Sequence, residues 1–335
     1  MTRRLIIGTM LAWAFMAGAT LDIHFIDVEG GQATLIVTPA KESLLVDAGW
    51  PGFEGRDAGR IVAAAKKAGL ARIDYLMVTH YHRDHVGGVE QLAGQFPIGT
   101  YVDHGPNRET GKAPDELWAS YEKAFAKGKR LIVKPGDKIP LKGVPVTVVT
   151  ADGEHIAKSM PGGGAQNPLC AAESQKAADP GENARSTGIL VQMGDFRFLD
   201  IGDLTWNKEL ELVCPVNRIG AVDVYLTTHH GMDTSGPAAI VHALRPRVAI
   251  MNNGARKGGA APAWQIVKNS PGLEDLWQVH FAVAGGDANN VTKDQIANLE
   301  EQCQGHGLSI SASQNGEFTV TNHRNGASKT YRKKK

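Results

Sequence analysis

One stretch constrains this chain more than any other: Thr79-His80-Tyr81-His82-Arg83-Asp84-His85-Val86-Gly87-Gly88. Four potential metal ligands, His80, His82, Asp84 and His85, fall within six positions. The run Tyr75 to Thr79 before them predicts a short strand. As the chain leaves that strand, His80 and His82 face one side, and the turn re-aims Asp84 and His85. Three imidazoles and a carboxylate suit zinc or a similar borderline cation. A single histidine here would read as part of a solvated loop. This spacing, directly after an apolar strand, does not.

Around that stretch, strands and helices interleave without a linker-like break. Leu21 to Val28 alternates as a strand does, and Thr34 to Thr38 and Ser43 to Val46 follow it. Asp57 to Ala68 places Ile61, Val62 and Ala65 on one helical face. Further helices are predicted over Val89 to Ala93 and over Pro114 to Lys127, the latter with proline in its first turn. Strands are predicted near Thr100 to Val102, Leu131 to Val133 and Val144 to Val149. Residues 152 to 185, dominated by Gly, Pro, Ala and Asn, are too long for a routine connector and read as a functional surface loop. Strands resume at Gly188 to Met193 and Phe196 to Ile201. Strand and helix then alternate through Val222 to Leu226, Ala238 to Leu244 and Val248 to Met251. A hairpin of Ser309 to Ala312 and Phe318 to Thr321, flanking Asn315-Gly316, closes the pattern. This predicts a single α/β domain over 20–325 and a basic flexible tail over 326–335.

The histidine-rich stretch resembles the His-x-His-x-Asp-His signature of the metallo-β-lactamase-fold superfamily. Leu44-Leu45-Val46-Asp47-Ala48-Gly49 is similar to the family's first motif, in which the aspartate supports the site from behind. Phe198-Leu199-Asp200-Ile201-Gly202-Asp203 resembles the strand ending in Gly-Asp, whose carboxylate bridges two metals. Tyr225-Leu226-Thr227-Thr228-His229-His230-Gly231 resembles the last ligand motif. These matches run in family order from about residue 21 to 254. Phe25-Ile26-Asp27-Val28-Glu29-Gly30-Gly31 and the His-His-Gly element are similar to the exported, ComEC-like branch, relatives of the hydrolase domain on DNA-uptake channels. The resemblance implies an αββα sandwich with its ligands gathered at one edge. It implies a divalent metal centre, two Zn2+ ions first, with Mn2+ or Fe as alternatives. One ion would take His80, His82 and Asp203, the other Asp84, His85, Asp203 and His229. Asp84 would also orient the nucleophile, and His230 would support a ligand or donate a proton.

The family's additional histidine, shortly before the Gly-Asp strand, has no counterpart here. The corresponding residues Glu182-Asn183-Ala184-Arg185-Ser186-Thr187-Gly188 contain none. Either His104 or His155 could swing in, but each reads first as a surface or supporting histidine, which leaves the His80 side ligand-poor. Asn183, Asn253 and Arg256 are weaker candidates, as supporting or substrate-facing groups; Asn252, Asn253, Arg256 and Lys257, following the strand Val248 to Met251, could hold an anionic group or form a solvated loop. The lone histidines His24, His242, His280, His306 and His323 carry no such signal.

Composition narrows the partners. Setting aside Arg3, Arg4, Lys329, Arg332, Lys333, Lys334 and Lys335 leaves 29 of 36 basic residues against 35 acidic ones, a body charge of −6. Extended duplex nucleic acid needs a clustered basic surface and is therefore not the expected partner. A small molecule or a short anionic substrate is. Residues 1–19 read as a secretory signal: two arginines, an apolar run shorter than the roughly 20 residues of a membrane span, and Ala17-Gly18-Ala19 as the cleavage site. The expectation is a periplasmic or secreted protein without a membrane anchor after cleavage. In an oxidising compartment, Cys170, Cys214 and Cys303 allow one disulfide and leave one thiol, with the pairing open. The functional expectation is a secreted metal-dependent hydrolase using a metal-bound hydroxide, with phosphodiesters first. A β-lactam or lactone hydrolase, or a metal-holding binding protein whose catalysis has lapsed, are the alternatives.

Overall fold

The computed structural model describes residues 20–333; the predicted secretory signal lies outside them. Among the described residues no helix is long and apolar enough to cross a membrane.

Two nine-stranded sheets carry the fold. The first runs, edge to edge, Ser328–Tyr331, Phe318–Asn322, Leu308–Ala312, Leu21–Phe25, Thr34–Val37, Ser43–Val46, Ile73–Met77, Ile98–Asp103 and Lys129–Ile132. The second runs Ile296–Asn298, Asp275–His280, Val248–Met251, Val224–Leu226, Phe196–Asp200, Gly188–Met193, Val146–Ala151 and Lys138–Ile139. Glu154–His155 pairs with Val146–Ala151 in addition.

Side-chain alternation explains why the sheets stack. Along Val248–Met251, Val248 and Ile250 join the cluster between the sheets, while Ala249 and Met251 join the cluster under the outer helices. Strands buried on both faces read as unbroken apolar runs, which is how the parallel strands Val224–Leu226 and Val248–Met251 are written. Phe25, Phe196, Phe198, Ile310 and Phe318 fill the middle layer. Helices Arg56–Lys67, Val89–Ala93 and Lys112–Phe125 cover the first sheet, with Ile61, Leu76, Leu92 and Tyr121 beneath them. Helices Trp206–Val213, Ala238–Leu244 and Ala261–Lys268 cover the second, over Leu212, Tyr225, Ile240 and Leu276. Three apolar layers between four structural layers make the expected αββα sandwich.

The expected flexible tail is corrected in part. Ser328–Tyr331 is an edge strand, antiparallel to Phe318–Asn322. The reason is its one aromatic: Tyr331 is buried, stacks on Phe318 with ring centres 4.9 Å apart, and donates its hydroxyl to Asp275 at 2.7 Å. Lys329 and Lys333 stay exposed. The loop over 152–185 is also more structured than its composition predicts. Ala165–Gln166 pairs with Val216–Asn217, and Cys170 is bonded to Cys214, leaving Cys303 as the free thiol.

Candidate metal centre

The sequence motifs meet where strands of both sheets end. Ser43–Val46 delivers Asp47, Ile73–Met77 leads into Thr79 to His85, Phe196–Asp200 into Asp203, and Val224–Leu226 into His229 and His230. Two tight turns aim the last three. Gly202 has φ 55°, and a Cβ there would lie 2.9 Å from the Cβ of Thr79. His229 and His230 themselves adopt φ 53° and 55°, a left-handed conformation that non-glycine residues rarely hold. That turn presents both imidazoles to Asp203.

Asp84, His85, Asp203 and His230 each place one donor atom within 4.8 Å of all the others, and all four are buried. His85 Nε2 lies 3.2 Å from Asp84 Oδ2, 3.2 Å from Asp203 Oδ2 and 3.2 Å from His230 Nε2. His230 Nε2 lies 3.3 Å from Asp84 Oδ2 and 3.4 Å from Asp203 Oδ1. Asp47 stands behind. Its Oδ2 accepts from His85 Nδ1 and from the Thr79 hydroxyl, each at 2.7 Å, and its Oδ1 accepts the Thr79 backbone N–H at 2.8 Å. By engaging Nδ1, Asp47 leaves Nε2 as the atom that His85 would offer to a cation.

His80 is set up in a similar way. The Thr79 hydroxyl, spent as a donor on Asp47, can only accept from His80 Nδ1, 3.0 Å away. The acceptor Nε2 of His80 is then buried without a partner, and Asp203 Oδ1 makes no hydrogen bond, with only the 3.4 Å contact to His230 beside it. Orphaned buried acceptors are costly unless something positive sits among them. The donor set therefore fits a divalent cation.

Charge tells the same story. Burial disfavours a charged His85, yet the carboxylates of Asp203, Asp84 and Asp47 outweigh it and hold the imidazole well above its usual range. Burial likewise pushes Asp84 and Asp203 upward, but the neighbouring imidazoles pull both well below the usual carboxylate range. For His80 burial dominates and drives it well below its ordinary value. The centre favours anionic carboxylates facing positive charge.

Several expectations are revised. The tightest cluster takes His230, not His229; His229 Nε2 stands 3.4 Å from Asp203 Oδ2, while its Nδ1 meets Thr234 and Ser235 at 3.0 and 3.3 Å. Both therefore abut the carboxylate, and the inward one is the residue expected to be a support. His82 stacks edge-on against His80 with ring centres 4.7 Å apart, but its Nε2 is held by Glu109 at 3.1 Å. Neither spare histidine fills the gap. His104 is paired with buried Glu182 at 3.0 Å, and His155 lies in the short strand Glu154–His155. Instead Ser186, from the segment lacking the family histidine, puts its hydroxyl 3.5 Å from His80 Nδ1 and accepts the Asp203 backbone N–H at 3.2 Å.

Asn253 is buried; its amide nitrogen donates to the backbone carbonyls of Gly254 and His280 at 3.0 and 2.8 Å, while its Oδ1 is left without a partner. Arg256 is exposed and paired with Glu301. Asn183 borders a cavity of about 450 Å³ beside His229, with Lys176, Trp206 and Asn207 among its other walls. Of the residues after Val248–Met251 read as able to hold an anionic group, Lys257 reaches the centre: its Nζ contacts Asp84 Oδ2 and lies 5.1 Å from the ring centre of Trp50. The signal for it was only its place in the loop after Val248–Met251. Glu109 had no signal at all.

The four-layer sandwich with this centre at its edge is the metallo-β-lactamase fold. Residues 26–164 match the family model of the metallo-beta-lactamase superfamily. A UPF0173 metal-dependent hydrolase of Anaeromyxobacter sp. (strain K) is 28% identical over 224 residues, 66% of this chain and 71% of that one. Recombination protein 2 of Haemophilus influenzae is 22% identical over 290 residues, 86% of this chain but 31% of that much longer one. Among solved structures, the metallo-beta-lactamase fold protein YhfI from Bacillus subtilis superposes with a TM-score of 0.48 at 12% identity, covering 78% of this chain and 96% of that one.

Proposed function

We propose that this protein is an exported metal-dependent hydrolase whose preferred substrate is a small phosphodiester. The observation that carries the hydrolase reading is the convergence of Asp84, His85, Asp203 and His230 within 4.8 Å, backed by Asp47. Asp84, His85, Asp203 and His230 would hold one cation, and His80, with Asp203 and His229 nearby, would contribute to a second. A divalent cation in such a site supplies Lewis acidity and a water made acidic enough to attack near neutral pH.

The rest falls to this chain's own groups. Asp47 fixes the tautomer and direction of His85. Buried Asp84 and Asp203 keep the charge that a cation requires. Lys257, anchored between Asp84 and the face of Trp50, stands at the rim where the anionic part of a substrate would arrive. The phosphodiester preference rests on that cation and on the resemblance of Phe25 to Gly31 and of the His-His-Gly element to the ComEC-like branch. Export rests on the leader pattern of residues 1–19 and on the Cys170–Cys214 disulfide, a bond typical of oxidising compartments.

The test is a substrate panel on metal-depleted protein with Zn2+ or Mn2+ added back. Phosphodiester hydrolysis should return with metal and exceed hydrolysis of β-lactams, lactones and thioesters. Faster turnover of a lactam or lactone would overturn the substrate class, and metal-loaded protein inert on the whole panel would favour a binding role.

A further inference from the structure

A second group of metal-ligand side chains lies outside the centre just described. Asp27 and Glu29 follow the strand Leu21–Phe25, His280 ends the strand Asp275–His280, and Cys303 lies in the loop before Leu308–Ala312. Their donor atoms all fall within 4.8 Å of one another. Cys303 Sγ is 3.3 Å from Asp27 Oδ2 and 3.3 Å from Glu29 Oε1. His280 Nε2 is 2.7 Å from Asp27 Oδ1 and 3.6 Å from Glu29 Oε2. We propose that Asp27, Glu29, His280 and Cys303 form a second, structural binding site for a borderline divalent cation of the zinc class.

Three arguments support it, none depending on the hydrolase reading. The first is spacing. Bonds of about 2.0–2.3 Å place tetrahedral donors roughly 3.3–3.8 Å apart; Cys303 Sγ, 3.3 Å from an oxygen of each carboxylate, and His280 Nε2, 3.6 Å from Glu29 Oε2, already fall in that range. The Asp27–His280 hydrogen bond must open, and each carboxylate, which meets Cys303 and His280 with different oxygens, must turn one of them to the cation. The second is chemistry. One sulfur, one imidazole and two carboxylates are a donor set that zinc accepts and that the harder Mg2+ and Ca2+ do not.

The third is charge. Asp27 and Glu29 carry two negative charges against the single positive charge of Arg60, whose Nη1 touches each carboxylate at 3.1 Å. Among these three ionic groups a net charge of −1 remains in a partly buried place. A divalent cation that displaces the Cys303 thiol proton to solvent brings the sum to zero. Arg60 need not leave, since its Nη1 also donates to the Asp27 backbone carbonyl at 3.0 Å.

The site would tie together three segments far apart in sequence. One of them continues directly into the motif centre: the Gln32 backbone N–H donates to the Asp84 carbonyl at 3.1 Å. A cation here would therefore stiffen the loop that buttresses Asp84.

The disulfide makes the test specific. With Cys170 bonded to Cys214, Cys303 is the chain's one thiol, and the motif centre contains no sulfur. Metal-free, disulfide-intact protein is titrated with Co2+, reading the sulfur-to-cobalt charge-transfer absorption. The expected result is a saturable band of one equivalent, absent from Cys303→Ala and retained in Asp203→Ala, which damages only the motif centre. Partly exposed Glu29→Gln and buried His280→Ala keep the thiol but should weaken the band's apparent affinity by about tenfold or more. Glu29→Gln carries the test if His280→Ala fails to fold. Absence of the band, or a band whose affinity is unchanged in Glu29→Gln, would overturn the proposal, because it would show either no coordination or a thiol binding metal alone.

Discussion

The two clusters use similar residue types and differ in how they are assembled. At the motif centre, His80 to His85 come from one short stretch, and two of its histidines are steered by a second group, Asp47 for His85 and Thr79 for His80. At Asp27, Glu29, His280 and Cys303, each of three segments contributes one or two donors, and a guanidinium already bridges the carboxylates. The first arrangement leaves buried acceptors without partners. The second satisfies its carboxylates without a metal and leaves only His280 Nδ1 unpartnered. The difference teaches that a centre built for turnover keeps its ligands exposed to the cation, whereas one built for stability can share the work with an arginine.

The sharpest way to break this contrast is Asp203→Ala. Its carboxylate meets His85, His229 and His230 at 3.2 to 3.4 Å, so one change should dismantle the whole motif centre. Loss of a group behind a ligand commonly weakens metal binding or activity about 10–100-fold, and loss of this shared ligand should exceed that. Hydrolysis should fall below detection, with metal content reduced and the far-ultraviolet circular dichroism unchanged. Full turnover in a protein that binds no metal would end the metal-dependent reading.

Asp47→Asn comes next. An asparagine can accept from Thr79 or from His85, but it cannot match a carboxylate taking 2.7 Å hydrogen bonds from both. Activity should fall about 10–100-fold with fold retained. A drop as deep as that of Asp203→Ala would show that the two carboxylates are not separable into ligand and support.

How much of this was legible in the sequence follows from the same contrast. His80, His82, Asp84 and His85 sit close together in the chain, so periodicity at a strand end was enough to flag them. The sandwich was legible because fully apolar runs such as Val248 to Met251 announce strands buried on both faces. The choice between His229 and His230 was not, because a left-handed turn at both residues decides which ring faces inward, and nothing in Thr-Thr-His-His-Gly fixes two consecutive positive φ angles. His280 read as an ordinary histidine because its partners lie more than 250 positions away at Asp27 and Glu29. Tyr331 was hidden among lysines, and only its stacking on Phe318 makes a strand of that run.

Lys257→Ala should have a smaller and more selective effect. Its ammonium is held by Asp84 and faces Trp50, and 29% of its side chain is exposed, as a substrate-facing group requires. KM for an anionic phosphodiester should rise about tenfold, the cost of roughly one charge-assisted contact, while kcat and metal content change little. Lys257→Arg should recover part of the loss. An equal KM increase for an uncharged ester would remove the anion-binding role.

The smallest effect tests the second cluster through its acid response. Burial pushes the Asp27 carboxyl upward, but the His280 hydrogen bond and charge, with Arg60, outweigh it and hold the group below its ordinary value. A carboxylate with a depressed folded-state pKa stabilises the protein above its unfolded value, near 4. That contribution is lost as pH falls through the folded-state pKa. In metal-free protein, Asp27→Asn should therefore be less stable than wild type at pH 7 by on the order of 1–3 kcal/mol, and the gap should narrow as pH drops below about 4. Urea unfolding at pH 7, 5 and 3 measures it. A gap that stays constant across that range would mean that Asp27 contributes packing rather than charge, and the cluster would then lack the anionic character that sets it beside the motif centre.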